Sequence, residues 1–361
     1  MYIFRKIGLT ILSKSFIVGY NKTKAKPTRA GRENKMKNTA ELNQMAKAQT
    51  FGVEIEMTGI TRNKAAKTAA EFFGTGRYED TAYRNGYSAW SAFDAEGREW
   101  KFVSDASIRA TSSGTSTEMV TPVLGYEDME TLQELCRRLR KAGAKSNADL
   151  GCGVHIHIGL KAKDGTEHTP KTIKNLANLM ASHEDLIAAV VGIDAARTTR
   201  WCRVARESFL KGINGKGNRL TWETIDKAFY EDGALGSRNQ RYANARYQML
   251  NLHPTLQSKL GTADSGHTKP TVEFRCFEFD RPANGRQNGI HAGQLKAYID
   301  FCLALSALAK ASRGISYKKG QRENKKYAMR TWLLRLGFIG DEYKNDRQHL
   351  MRNLEGNGAW R

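Results

Sequence analysis

Residues 51–58 read FGVEIEMT, residues 153–160 GVHIHIGL and residues 271–277 TVEFRCF. Side chains two apart on an extended strand point to the same face of a sheet. In the first run Phe51, Val53, Ile55 and Met57 share one face and Glu54 and Glu56 the other. In the second, Val154, Ile156, Ile158 and Leu160 oppose His155 and His157; in the third, Val272, Phe274 and Cys276 oppose Glu273 and Arg275. A shorter run, STEMVTP (116–122), sets Glu118 against Met119. An antiparallel sheet can be dry on one face and wet on the other. If the apolar faces rest on a helical layer, the ionisable groups line one concavity. Any single pair is adequately explained as a solvated face, and Glu273 with Arg275 as a surface ion pair worth under about 1 kcal/mol. The same registration on several strands, far apart in the chain, points instead to a site.

The segments between these runs read mostly as helices. Thr61 is placed to cap a helix through TRNKAAKTAAEFF (61–73), which Gly74 ends. Residues 88–104 read as a hairpin turning at Asp94 to Gly97. In YEDMETLQELCRRLRKAG (126–143), Met129, Leu132, Leu135, Cys136 and Leu139 recur at helical spacing up to Gly143. Pro170 opens a mainly helical stretch to about Tyr230, Tyr247 to Leu252 reads as a strand, and residues 291–311 form a long buried helix. The segments YAMRTWLLRLGF (327–338) and DEYKNDRQHLMRNL (341–354) read as a helical pair, with Asp341 placed to cap the second. Strands interspersed singly with helices, with no nucleotide-binding Gly-rich turn, predict an α+β fold. Its curved, mostly antiparallel sheet is backed by helices, with a helical C-terminal region. The expected division is a basic, disordered leader over 1–48, a catalytic domain over 49–313 and a helical extension packing on it over 314–361.

Fifty-eight Lys and Arg against 37 Asp and Glu give a net charge of +21, of which residues 1–46 carry +8. The surplus suits an anionic small substrate. No zinc-finger spacing or Arg-rich block is present, and the strand motifs offer carboxylates where a nucleic acid needs cations, which argues against a nucleic-acid partner. Five isolated cysteines without a C-x-x-C pair give no disulfide framework or structural zinc site, so a reducing, cytoplasmic setting is expected. Cys152, beside the histidine strand, reads as a buried thiol for want of an activating partner. The opening MYIFRKIGLTILSKSFIVGY mixes short apolar stretches with Arg5, Lys6 and Lys14, well short of the roughly 20 apolar residues of a membrane span. It has no A-x-A cleavage pattern, and Met36 is an alternative start.

Same-face neighbours on a strand start about 7 Å apart. Glu54 and Glu56 can thus hold one cation each in a pair separated by about 3.5–4 Å. Carboxylates favour Mg²⁺, and an imidazole in the shell admits Mn²⁺. Glu118, His155 and Glu273 extend the shell. Arg275 has the planar fork that neutralises phosphoryl oxygens during transfer.

FGVEIEMTGITRNKAAKTAAEFFGT (51–75), GCGVHIHIG (151–159), NARYQMLNLH (244–253), TVEFRCF and HAGQLKAYI (291–299) resemble the amidoligase family. That family is a branch of the carboxylate–amine ligase superfamily, which includes glutamine synthetase and glutamate–cysteine ligase. The resemblance runs from about Phe51 to Glu355. It implies a glutamine synthetase-like sheet whose concave face binds ATP, as co-substrate, and Mg²⁺ or Mn²⁺. By motif position Glu54, His155 and Glu273 resemble the ligands of one metal, Glu56 and Glu118 those of the other, and Arg275 the phosphoryl-stabilising arginine. His157, Arg246 and Lys296 are implied at lower rank for substrate or nucleotide binding. The basic leader and the long segment FEFDRPANGRQNGI (277–290), which would reshape the pocket, depart from the family pattern. The implied activity joins a carboxylate to an amine through an acyl phosphate, using ATP without a P-loop. The same residues leave room for a metal-dependent hydrolase, a phosphotransferase on a related scaffold or a noncatalytic nucleic-acid-binding protein.

Overall fold

The computed structural model describes residues 39–193, 195–262, 268–281 and 289–359. Its centre is an eight-stranded antiparallel sheet formed by β1 (Phe51–Met57), β2 (Tyr78–Asp80), β3 (Trp90–Phe93), β4 (Glu99–Val103), β5 (Thr117–Val120), β6 (Val154–Gly159), β7 (Leu250–Asn251) and β8 (Thr271–Phe277). The spatial order is β2-β3-β4-β5-β1-β6-β8-β7. The four strands with the charged motifs, β5, β1, β6 and β8, are therefore consecutive neighbours.

The alternation read from the sequence sorts the two faces. Val53, Ile55, Val154, Ile156, Ile158, Val272, Phe274 and Cys276 are all buried in one core. The helices Arg62–Phe72, Met129–Lys141, Pro170–Val191 and Ala292–Ala311 pack residues into that core. The first of these starts where expected: the Thr61 hydroxyl accepts the Lys64 N–H at 3.3 Å. Thr61→Ala is expected to cost about 1 kcal/mol, read as a lowered urea midpoint with an unchanged m-value.

Three expectations are corrected. Order begins before residue 49: residues 39–47 are helical, and Leu42 and Ala46, one turn apart, bury against the core beside Leu303, Phe338 and Tyr343. The segment's polar composition masks this narrow stripe; residues 1–38 lie outside the described residues. The strand expected over Tyr247–Leu252 pairs with β8 only at Leu250 and Asn251. Before it, Gln248 bridges to Arg203 and Asn244–Arg246 coil into a 3₁₀ turn. Asp341 does not cap the last helix, Lys344–His349, which follows Tyr343 without a side-chain cap.

The C-terminal helices Lys325–Arg335 and Lys344–His349 join the same core through Met329, Trp332, Leu333 and Leu350. Burial here has a pH signature. His183 stacks on Trp332 at 3.9 Å between ring centroids, and burial pushes its imidazole down to about 4. An unfolded histidine titrates near 6.5. Between about 6.5 and 4 the unfolded chain therefore binds the extra proton, and His183's contribution falls as pH falls. Asp300, raised by burial to about 7, acts with the opposite sign. A comparison of wild type with His183→Gln isolates the histidine: the Tm advantage of wild type is expected to shrink from pH 7 to pH 4.5.

All five cysteines are free and buried. Among the described residues no helix is long and apolar enough to cross a membrane.

Candidate active site on the polar face of the sheet

Strand register brings the charged motifs together. Glu54 lies opposite His155, Glu56 opposite Glu118, and His157 opposite Glu273. Between the pairs Ile156–Phe274 and Val154–Phe277, β8 carries one residue more than β6, so Arg275 and Cys276 together face His155. Such a bulge bends a strand and re-aims its side chains. Here it falls on the arginine, whose Nη1 reaches Glu273 Oε1 at 2.6 Å and His155 Nδ1 at 3.5 Å. Gly151 admits the approach to β6: its φ is +70°, and a β-carbon there would lie 2.9 Å from the Ser107 carbonyl oxygen.

His155 sits at the centre. Its Nδ1 is 3.2 Å from Glu54 Oε2 and 3.7 Å from Glu273 Oε1, and its Nε2 is 3.7 Å from Glu56 Oε1. Glu56 Oε2 accepts the Gly153 N–H at 2.6 Å. His157 Nδ1 is 3.0 Å from Thr271 Oγ1, while its Nε2 is buried without a hydrogen bond, 3.3 Å from Glu54 Oε1.

Sequence reading missed three members of this face. Lys269 Nζ pairs with Glu54 Oε1 at 2.5 Å, its side chain 50% exposed. Asn251 Nδ2 donates to Glu273 Oε2 at 2.6 Å. Asp105 groups with Glu56 and Glu118. A signal existed for two of them: Lys269 continues the alternation of Thr271, Glu273 and Arg275 upstream across Pro270, and Asp105 continues that of Lys101 and Val103. Asn251 is visible only through its register opposite Glu273.

Of the lower-ranked residues, His157 is in the cluster. Arg246 is one ring away: the Tyr247 ring lies 4.8 Å from the Arg246 guanidinium and 5.7 Å from that of Arg275. Lys296 is not brought to this face. It belongs to the helix Ala292–Ala311 behind the sheet, where it pairs with Asp300 and, at 2.9 Å, with Asp346. Cys152 is buried and its thiol is pushed up to about 12 by burial and by Glu56, which leaves no thiolate to act.

The electrostatics divide the carboxylates. Burial alone would raise Glu54, but Lys269, His157 and His155 outweigh it and hold the carboxyl well below its usual range. Against the same penalty Arg275, followed by His157, holds Glu273 at about 2. Glu118 goes the other way: burial, then the charges of Glu54, Glu56 and Asp105, raise it well above the usual range. Carboxylates crowded until one resists ionising form a site that bound positive charge would relieve.

Among the described residues, three groups each bring oxygen or imidazole donors within 4.8 Å of one another: Glu54, His157 and Glu273; Glu54, Glu118 and His155; and Glu56, Asp105 and Glu118. The donor chemistry fits a divalent cation of the Mg²⁺ or Mn²⁺ kind, and the orphaned Nε2 of His157 is a donor atom left over for one. The expected trio Glu54, His155 and Glu273 is divided: His157 stands with Glu54 and Glu273, His155 stands with Glu54 and Glu118, and Asp105 joins Glu56 and Glu118.

Residues 47–306 match the family model described as "Putative amidoligase enzyme". The match spans the helix-backed antiparallel sheet that carries the charged cluster. The chain belongs to the amidoligase family, and the match ends within the helix Ala292–Ala311. No curated protein matches the sequence. Among solved structures, the crystal structure of a bifunctional glutathione synthetase from Pasteurella multocida aligns with a TM-score of 0.42 and 11% identity. The alignment covers 91% of this chain and 49% of that one, so the chain spans about half the length of that protein.

Proposed function

We propose that this enzyme is an ATP-dependent carboxylate–amine ligase. A substrate carboxylate attacks the γ-phosphorus of ATP, the bond to the bridging oxygen breaks and ADP leaves. The resulting acyl phosphate is attacked by an amine, which loses a proton as the amide forms and phosphate departs. Splitting the reaction in this way replaces one difficult displacement by two easier ones.

The observation that carries the reading is Arg275 among carboxylates and imidazoles from four adjacent strands, in a chain of this family. A buried guanidinium held beside these carboxylates suits a reaction in which charge develops on phosphoryl oxygens. Glu54, Glu56, Asp105, Glu118, Glu273 and the two imidazoles would hold Mg²⁺ or Mn²⁺, which supplies positive charge to phosphoryl oxygens. Arg275 adds a fixed planar donor where charge develops during transfer. Lys269, paired with Glu54 and half exposed, is placed to exchange that partner for an incoming anion. Residues 49–313 would carry this chemistry, while the C-terminal helices brace the layer behind it.

The test is release of ADP and phosphate by the purified full chain with Mg-ATP across pools of carboxylates and amines. A ligase requires both partners and yields an amide. Product formed without ATP would identify a hydrolase, and a stable phosphorylated product a phosphotransferase; either result overturns the proposal.

A further inference from the structure

Outward from Arg275, cations and aromatic rings alternate. The Arg275 guanidinium lies 5.7 Å from the Tyr247 ring and that of Arg246 4.8 Å from it. Arg246 is also 4.9 Å from the Tyr242 ring, Arg241 is 5.3 Å from Tyr242, and Arg241 is 5.9 Å from Tyr87. The hydroxyls of Tyr87 and Tyr242 meet. Tyr87 precedes β3 and Tyr242 lies in the segment leading to β7, strands near opposite ends of the sheet order, so this contact links segments from both ends of the sheet.

Two observations show that the ladder is more than surface packing. Among the described residues neither Arg241 nor Arg246 has a carboxylate partner; Arg246 Nη2 donates to the Tyr247 hydroxyl at 3.0 Å, while Arg246 Nε and Arg275 Nε are both buried without an acceptor. A buried charged donor left unpaired is costly and calls for an explanation. Tyr87 and Ser88 have φ of +51° and +47°, a conformation seldom adopted by residues of these types. Yet Tyr87 and Tyr242 remain 51% and 53% exposed as residues, so burial does not account for that turn. Beside them an open polar cavity of about 400 Å³ is lined by Gly233, Gly236, Gln240, Tyr242 and Asn244.

Rings stacked on a guanidinium cover its faces and leave its N–H edge for planar, two-point recognition of an oxyanion. We propose that Arg246 and Arg241, held between Tyr247, Tyr242 and Tyr87, bind a second anionic group of the acid substrate, a carboxylate or phosphate remote from the carboxylate that reacts. This inference rests on the ligase reading for the word substrate, but the ladder itself is tested by binding.

Ligand-observed NMR titrations of the full chain would compare propionate with the straight-chain dicarboxylates from succinate to suberate and with 3-phosphonopropionate. At least one two-headed probe is expected to bind about tenfold tighter than propionate, the better head group naming the oxyanion. Arg246→Ala and Arg241→Ala should each erase most of that advantage, with Arg246→Lys restoring only part of it because the fork is lost. Arg241 is exposed, so its variant keeps the test independent of folding. Two-headed probes no tighter than propionate, or an advantage surviving both alanine variants, would overturn the proposal. So would an Arg246→Ala whose only defect is weaker binding of a non-hydrolysable ATP analogue. A chain that holds these probes through Arg246 but never releases ADP would sink the ligase reading and leave the ladder standing.

Discussion

Glu56→Gln is expected to lower metal-dependent ADP release by about 10²-fold or more while leaving the protein folded. Glutamine keeps the shape and the oxygen that accepts the Gly153 N–H, so the backbone bond at β6 survives. What is lost is one negative charge from the group Glu56, Asp105 and Glu118. That same loss relieves Glu118, one of whose burdens is the Glu56 charge. Thermal stability in the absence of metal should accordingly hold steady or rise, and the stabilisation that added Mg²⁺ confers on the wild type should shrink. A variant that turns over at the wild-type rate with Mg²⁺ would remove Glu56 from the proposed machinery. Loss of fold would contradict the structural account of its hydrogen bond.

Arg275→Ala has a larger reach because it acts on both stability and chemistry. Its guanidinium is the leading charge that offsets the burial of Glu273. Removing one partner of a buried pair typically costs about 3–5 kcal/mol, whereas replacing both by neutral groups is often nearly free. The alanine variant should therefore show a lower denaturant midpoint, and Arg275→Met combined with Glu273→Gln should recover most of it. ADP release should stay depressed by about 10²–10³-fold in both. Recovered stability with absent activity separates the catalytic task of Arg275 from its task of neutralising Glu273. Recovered activity in the double variant would show that the pair is structural only. Arg275→Lys keeps a charge near Glu273 but loses the fork, and is expected to fall between the two in stability and close to alanine in rate.

The candidate site was legible in the sequence to the extent that it depends on period-two alternation. Glu54, Glu56, Glu118, His155, His157, Glu273 and Arg275 were readable because each alternates with residues that became the core. Lys269 lies on the same alternation but on the far side of Pro270, which has no N–H to continue a ladder, and Asp105 lies beyond the end of β4. Arg246 was readable only through resemblance, and its relation to Tyr242 and Tyr247 only in three dimensions. Lys296 shows the converse hazard. A lysine on a long apolar helix invites a functional reading, yet Asp300 on its own helix and Asp346 from a distant one already satisfy it.

By itself the chain determined which side chains share a face of each strand, where the helix after Thr61 begins, and that apolar and ionisable faces must separate. These follow from backbone geometry and from the cost of burying charge, both local in sequence. Tertiary structure alone decided that β5, β1, β6 and β8 are neighbours, that the extra residue of β8 falls at Arg275, and that Tyr87 meets Tyr242. Strand order and register are set by which surfaces pack together over separations of a hundred residues or more, and no short-range periodicity encodes that choice.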